Sequence, residues 1–274
     1  MLVSILNCLD LGRITYKLLF LVFYMGFWII VGRVLKASDV VIFVIDARMP
    51  ELSRNVRLEE MVGRFRKPLI TVFTKIDLIS EKALADLKSK HKDAYFVSGI
   101  KNEGIKELRK RLFIDGKKMG YPEPRVGVVG YPNVGKSAII NALAYRAKAH
   151  ISIKAGTTRG VQYVKAGILK ILDSPGVVPF ADKEAKLALI AAKNPEKLRW
   201  PTKVAAEIVK LFETQNKELF EKYVGFKITE GMEPEEILEK YGRRRGFLSK
   251  GGIVDETKSA ITLIRDWQKG KLRL

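Results

Sequence analysis

From residue 38 onward, apolar runs of strand length alternate with longer segments whose apolar positions recur at helical spacing. That alternation predicts a parallel α/β domain. The candidate strands are DVVIFVID (39–46), PLITVFT (68–74), DAYFVS (93–98), RVGVVG (125–130), GVQYVKA (160–166) and GILKILD (167–173). Helical spacing covers residues near 53–66, 81–90, 103–113 and 136–146. Residues 114–124, IDGKKMGYPEP, are rich in Gly, Pro and Lys and read as a linker inside the domain. After DSPGVVPF the strand signal stops. Residues 183–274 are periodic at helical spacing, with Pro195, Pro201 and Pro234 near expected helix starts.

The N-terminus breaks this pattern. Residues 18–31 form an uninterrupted apolar run of 14 residues, flanked by Lys17 and Arg33. A membrane-spanning helix needs about 20 such residues, and no convincing small-residue cleavage site follows the run. The expectation is a buried helix or strand, or a start codon placed too early, with a membrane contact as the alternative.

Composition narrows the partners. The chain has 274 residues, 47% of them hydrophobic and 29% charged, as in soluble globular proteins. Its 50 Lys and Arg against 30 Asp and Glu give a net charge of +20, which points to a polyanion, either nucleic acid or an anionic membrane. The single cysteine, Cys8, rules out an internal disulfide. Two distant histidines, His91 and His150, argue against a His/Cys metal site.

Chemistry enters at the ends of the strands, where open α/β sheets place their ligands. GYPNVGKS (130–137) fits G-x-x-x-x-G-K-[ST] between a strand and a helix. Gly130 and Gly135 allow the backbone N–H groups, with those of Asn133, Val134 and Ala138, to converge on phosphate oxygens. Lys136 is expected to reach the β- and γ-phosphates and Ser137 to ligate Mg²⁺. DSPG (173–176) ends the strand GILKILD, placing Asp173 on the Mg²⁺ side and the Gly176 N–H near the γ-phosphate. Thr158, in KAGTTRG, is the candidate to complete the Mg²⁺ shell.

TKID (74–77) follows a strand but precedes the phosphate loop. A carboxylate at Asp77 can accept from the N1 and N2 donors of guanine, a pair adenine lacks, so it would select GTP over ATP. Thr74 opens this loop, and the aliphatic stem of Lys75 would cover the base. VSG (97–99) offers the backbone N–H groups of Ser98 and Gly99 to the guanine O6.

The order TKID, VSG, GYPNVGKS, AGTTR (155–159), DSPG resembles the circularly permuted GTPases of the YlqF/RbgA type, in which the guanine-reading loops come first. ASDVVIFVIDARMPELSRN (37–55) and YGRRRGFLSKGGIVD (241–255) add to the resemblance, which runs from about Gly32 to the end. It implies a circularly permuted Ras-like P-loop GTPase domain, a mostly parallel sheet with flanking helices, over residues 32–182. A small, basic, all-helical domain that binds RNA would follow over 183–274, with 1–31 as an apolar extension. It also implies a role in large ribosomal subunit assembly and a K⁺ ion held near Asn133 at the transition state, while the lone Cys8 is consistent with a reducing, cytoplasmic compartment. Val177 and Val178 stand where many GTPases carry a water-orienting Gln, so slow intrinsic hydrolysis is expected. Two alternatives stay open: a GTP-dependent RNA-binding switch with negligible turnover, and a membrane-associated GTPase.

For RNA, two basic stretches are candidates. Residues 145–172 hold six Lys or Arg and no acid: Arg146, Lys148, Lys154, Arg159, Lys165 and Lys170. Arg243, Arg244, Arg245 and Lys250 lie beside Tyr241 and Phe247, combining phosphate contacts with base stacking.

Overall fold

The computed structural model describes residues 26–145, 163–179 and 182–274. Among these residues one sheet runs in the order β3-β2-β1-β4-β6-β5, built from β1 (Val40–Asp46), β2 (Leu69–Thr74), β3 (Tyr95–Val97), β4 (Arg125–Gly130), β5 (Tyr163–Ala166) and β6 (Leu169–Asp173). All neighbouring pairs are parallel except the antiparallel β5–β6 pair.

The all-apolar β1 segment becomes the central strand because both of its faces are covered. Its residues point alternately to opposite sides, as the two-residue period requires. Val40, Ile42 and Val44 pack with Leu108 and Leu112 of α5 (Ile105–Lys118) and Ile139 and Leu143 of α6 (Lys136–Tyr145). Val41, Phe43 and Ile45 pack against the opposite layer, formed by α1 (26–37), α3 (Val56–Arg64) and α4 (Glu81–Lys90). A short helix α2 (Pro50–Ser53) precedes α3, and the helical span read near 53–66 corresponds to α3 alone.

Of the apolar N-terminal run, residues 18–25 lie outside the described residues, and residues 26–31 begin a helix that contributes to this core. Trp28, Val31 and Leu35 repeat at helical spacing and are buried with β1, while Phe27, Ile29 and Ile30 of the same helix face outward. No helix among the described residues is long and apolar enough to cross a membrane.

The expected 114–124 linker is shorter than the sequence suggests. Helix α5 continues to Lys118, leaving only 119–124 as the connection. Gly116 explains the extension: it is buried in the helix, and a Cβ there would fall 2.1 Å from Pro124 Cγ. The returning chain packs into that notch, and an Arg111–Asp115 pair at 2.6 Å bridges the same turn. Together these offset the roughly 1 kcal/mol that glycine costs inside a helix.

Beyond β6 the chain is helical: α7 (Glu184–Leu189), α8 (Pro201–Gln215), α9 (Lys217–Val224), α10 (Pro234–Arg244) and α11 (Glu256–Gln268). Pro201 and Pro234 begin α8 and α10, and Pro195 begins a 3₁₀ turn, where a missing N–H costs nothing. Ile208, Val209 and Phe212 of α8 meet Leu263, Ile264 and Trp267 of α11 in a second core. Met49 and Leu52 reach from the sheet side into that core, and Leu274 N–H donates to Leu78 O at 2.8 Å.

Candidate functional site

In register, the carboxyl ends of β1, β2, β3 and β4 lie along one edge, since Asp46 pairs with Thr74, Thr74 with Val97 and Val44 with Gly130. The chain order reverses between β1 and β4, which makes their mouth the switch point where such sheets bind ligands.

The phosphate loop leaves β4 at Gly130, where a Cβ would lie 2.7 Å from Val44 O on the neighbouring strand. Gly135 has φ +114°, a conformation that side chains rarely adopt, and Asn133 sits in the left-handed region at φ 57°. Ser137 is exposed in the first turn of α6. Lys136 is buried and folds back over the loop, donating to Tyr131 O at 2.7 Å and Gly130 O at 3.3 Å. Burial lowers its pKa to about 8, with only Asp173 opposing the shift. Those carbonyls occupy the ammonium where phosphate oxygens would take their place.

Asp173 ends β6 beside this lysine. Its side chain reaches water, yet the protein packed behind it raises its carboxyl pKa, against the pull of Lys136. The DSPG segment lies directly on the phosphate loop: a Cβ on Gly176 would be 2.5 Å from Pro132 N. Val177 turns into the core, 2% exposed, and its carbonyl accepts from Asn55 Nδ2 at 3.2 Å. The oxygen donors of a Ser hydroxyl and a carboxylate, beside a buried lysine that can pair with phosphate, fit Mg²⁺ carried in on phosphates.

The two loops expected to read guanine join the same site from the other side. Thr74 Oγ1 donates to Val134 O at 2.6 Å, stitching TKID to the phosphate loop. Lys75 takes a left-handed φ of 59° and its Nζ donates to Asp46 Oδ2 at 2.7 Å. Asp77 lies half-exposed in the 3₁₀ turn Ile76–Leu78. Gly99 packs on the start of α6, where a Cβ would be 2.7 Å from the Ala138 carbonyl carbon. Ser98 departs from expectation. Its N–H donates to Glu103 O at 3.1 Å and its buried hydroxyl accepts from Lys101 N, so it shapes the loop and its amide is not offered to a base.

Contacts that sequence reading missed come from the helical region. Tyr131 of the phosphate loop is fully buried, and its hydroxyl donates to Asp182 and accepts from Lys186 Nζ at 2.9 Å. Asn133 Nδ2 donates to Ala191 O at 2.9 Å, which leaves Oδ1 as the atom able to face a cation. Local patterns carry no signal for partners 51 and 58 residues away.

The basic surfaces are partly as expected. Arg243, Arg244, Arg245 and Lys250 are exposed, but Tyr241 is not available for stacking: it is buried, its hydroxyl bonded to Tyr223 at 2.8 Å. Its spacing from Ile237 and Leu238 places it on the inner face of α10. Lys165 and Lys170 both approach Glu123, at 3.4 and 2.6 Å. Thr158, Arg146, Lys148, Lys154 and Arg159 lie outside the described residues.

Comparison with known proteins bears on this geometry. Residues 125–224 match the family described as 50S ribosome-binding GTPase, a match that begins at β4. An uncharacterized GTP-binding protein of Methanocaldococcus jannaschii is 38% identical over 245 residues, 89% of this chain and 65% of that protein, so the chain spans less than two thirds of that relative. Ribosome biogenesis GTPase A of Priestia megaterium is 31% identical over 87% of this chain and 88% of its own length. The GNP-bound crystal structure of YlqF from T. maritima has a TM-score of 0.50 at 26% identity, covering 85% of this chain and 89% of that one. The loop order, the reversal at β1 and β4, and similarity along nearly the whole of a ribosome biogenesis GTPase converge: this chain belongs to the YlqF/RbgA family of circularly permuted GTPases.

Proposed function

We propose that this chain binds GTP, hydrolyses it to GDP and phosphate, and acts in the cytoplasm in assembly of the large ribosomal subunit through nucleotide-dependent contact with ribosomal RNA. The observation that carries the reading is the closure of three distant loops on one site: Thr74 on Val134, Gly99 against Ala138, and Gly176 against Pro132.

In this reading Asp77 selects guanine and Lys75 covers it, with Gly99 at the edge of the base. Lys136 gives up its contacts with Tyr131 and Gly130 carbonyls to hold the terminal phosphates. Ser137, Asp173 and Thr158 would hold Mg²⁺, which when bound neutralises charge on the phosphates. The N–H of Gly176 would face the γ-phosphate. Because Val177 is buried, no side chain at that position orients water. A K⁺ ion at Asn133 Oδ1 or a group from the ribosome would supply the missing positive charge. Residues 183–274, treated as an RNA-binding unit, would present Arg243, Arg244, Arg245 and Lys250 to phosphates, with Lys165 and Lys170 as a second basic patch.

The test is GTP turnover in K⁺ and in Na⁺, with and without large ribosomal subunits, alongside co-sedimentation in GDP, GTP and a non-hydrolysable analogue. Turnover stimulated by K⁺ or by subunits, with binding that depends on the nucleotide, is expected. Binding with no turnover under any condition would leave a GTP-dependent RNA-binding switch in place of an enzyme. Equal sedimentation in all three nucleotides would rule out nucleotide-controlled docking.

A further inference from the structure

The base loop and the helical region meet at a buried ionic cluster. Asp46, the last residue of β1, is 1% exposed and carries two cations. Its Oδ2 accepts from Lys75 Nζ at 2.7 Å and Arg48 Nη2 at 2.9 Å, and its Oδ1 accepts from Arg48 Nε and the Arg48 backbone N–H, both at 3.1 Å. Arg48 is itself buried. Its remaining terminal nitrogen, Nη1, donates to Trp267 O at 2.7 Å, and its guanidinium lies 4.2 Å from the centre of the Trp267 indole. Trp267 belongs to α11 of the helical region and is fixed there, with its Nε1–H donating to Leu189 O at 2.8 Å.

A buried guanidinium is tolerated because every face has a partner: the carboxylate, the carbonyl and the indole ring. Lys75, in contrast, takes a left-handed backbone that is unfavourable for a non-glycine residue, and such a conformation persists only where its surroundings hold it. Asp46 is the ionic partner of its side chain. Burial opposes charge on Asp46, but Arg48 and Lys75 hold its carboxyl at about pKa 2, so the carboxylate is permanently charged near neutrality.

We propose that Asp46 is a positioning residue that fixes Lys75 in the guanine-reading loop, and that Arg48, clamped between Asp46 and Trp267, makes this positioning depend on the docking of α11. The proposal rests on residues 74–77 being the guanine loop. It assigns the Asp-Ala-Arg segment at 46–48 the task of coupling nucleotide affinity to the state of the helical region. By linkage the coupling is reciprocal, so guanine nucleotide tightens α11 as much as docked α11 tightens nucleotide.

GDP titration calorimetry on the full chain tests this, comparing wild type, Asp46→Asn, Lys75→Met, the double variant and Trp267→Phe, each checked for folding by circular dichroism. Loss of one charge-assisted hydrogen bond weakens binding by about tenfold, so each of the two site variants is expected to bind GDP about that much more weakly. The double variant should bind no worse than the weaker single one, because Asp46 acts through Lys75. Trp267→Phe removes the Nε1–H bond that fixes this side chain to Leu189 and weakens the ring face over Arg48, so it should also weaken GDP. Wild-type affinity in Asp46→Asn, multiplied losses in the double variant, or wild-type affinity in Trp267→Phe would each overturn the proposal. Should Asp46→Asn not fold, hydrogen exchange decides: GDP should slow exchange in 256–268 of wild type but not of Lys75→Met, and equal slowing in both overturns it. A wild-type chain that does not bind GDP at all would refute the guanine reading itself.

Discussion

Thr74 Oγ1 and Val134 O lie 2.6 Å apart, a hydrogen bond that joins the TKID loop to the GYPNVGKS loop across 60 residues of chain. Both groups are buried, so neither has water to fall back on. Thr74→Val keeps the shape and removes the donor, leaving the carbonyl unsatisfied. The expected cost is about 1–3 kcal/mol, measured by urea denaturation, with weaker GDP binding in parallel because the two halves of the site lose their stitch.

Asp77→Asn exchanges two acceptor oxygens for one acceptor and one donor. GTP binding should weaken by tenfold or more, on the order of 10², while xanthine nucleotides, which present a carbonyl where guanine has its amino group, should bind better than GTP. Competition binding with GTP and XTP checks both directions; unchanged GTP affinity would make the segment an ordinary turn.

Lys136 has a pKa lowered to about 8 by burial. Bound phosphates stabilise its charged form, so nucleotide binding takes up a proton once the free lysine begins to lose one. Affinity should be flat below pH 8 and fall by up to about tenfold per pH unit above it. Lys136→Met should bind weakly with no such slope, measured by GDP titration from pH 6.5 to 9.5.

Asp46 carries a folded pKa of about 2 against an ordinary 3.8. A depressed carboxyl stabilises the fold above its unfolded pKa and loses that contribution as pH falls through the folded one. About 2 kcal/mol of stability should therefore disappear between pH 4 and pH 2. Urea denaturation at pH 7, 4 and 2.5 should show this loss in wild type and a flatter profile in Asp46→Asn.

Much of the fold was legible because β1, β2 and β4 are central strands whose apolar runs have no alternative reading once both faces are covered. The glycine-rich loops were legible for the same reason: Gly130, Gly135, Gly99 and Gly176 stand where another backbone or side chain occupies the space of a Cβ. What misled was composition taken without geometry. The Gly and Lys of residues 116–118 read as a linker, yet Pro124 fills the notch at Gly116 and the helix runs on. Tyr241 adjoins exposed arginines in sequence, yet its spacing from Ile237 and Leu238 points it inward. The position of Ser98 after β3 suggests a base donor, but its amide is bonded to Glu103 O. Arg48 and Trp267, 219 residues apart, are the extreme case: only the packed structure makes them neighbours.

The placement of β1 also bears on how the chain matures. One edge of β1 pairs with β2, whose residues follow soon after it, whereas the other edge waits for β4, which begins at Arg125. During synthesis the half that carries β1 and TKID therefore exists for a time with an open strand edge and a threonine hydroxyl at Thr74 whose acceptor has not yet been made. On the function proposed above, the nucleotide site forms when the late half docks on the early one, so ligand binding would report that this part of the chain has been completed and closed.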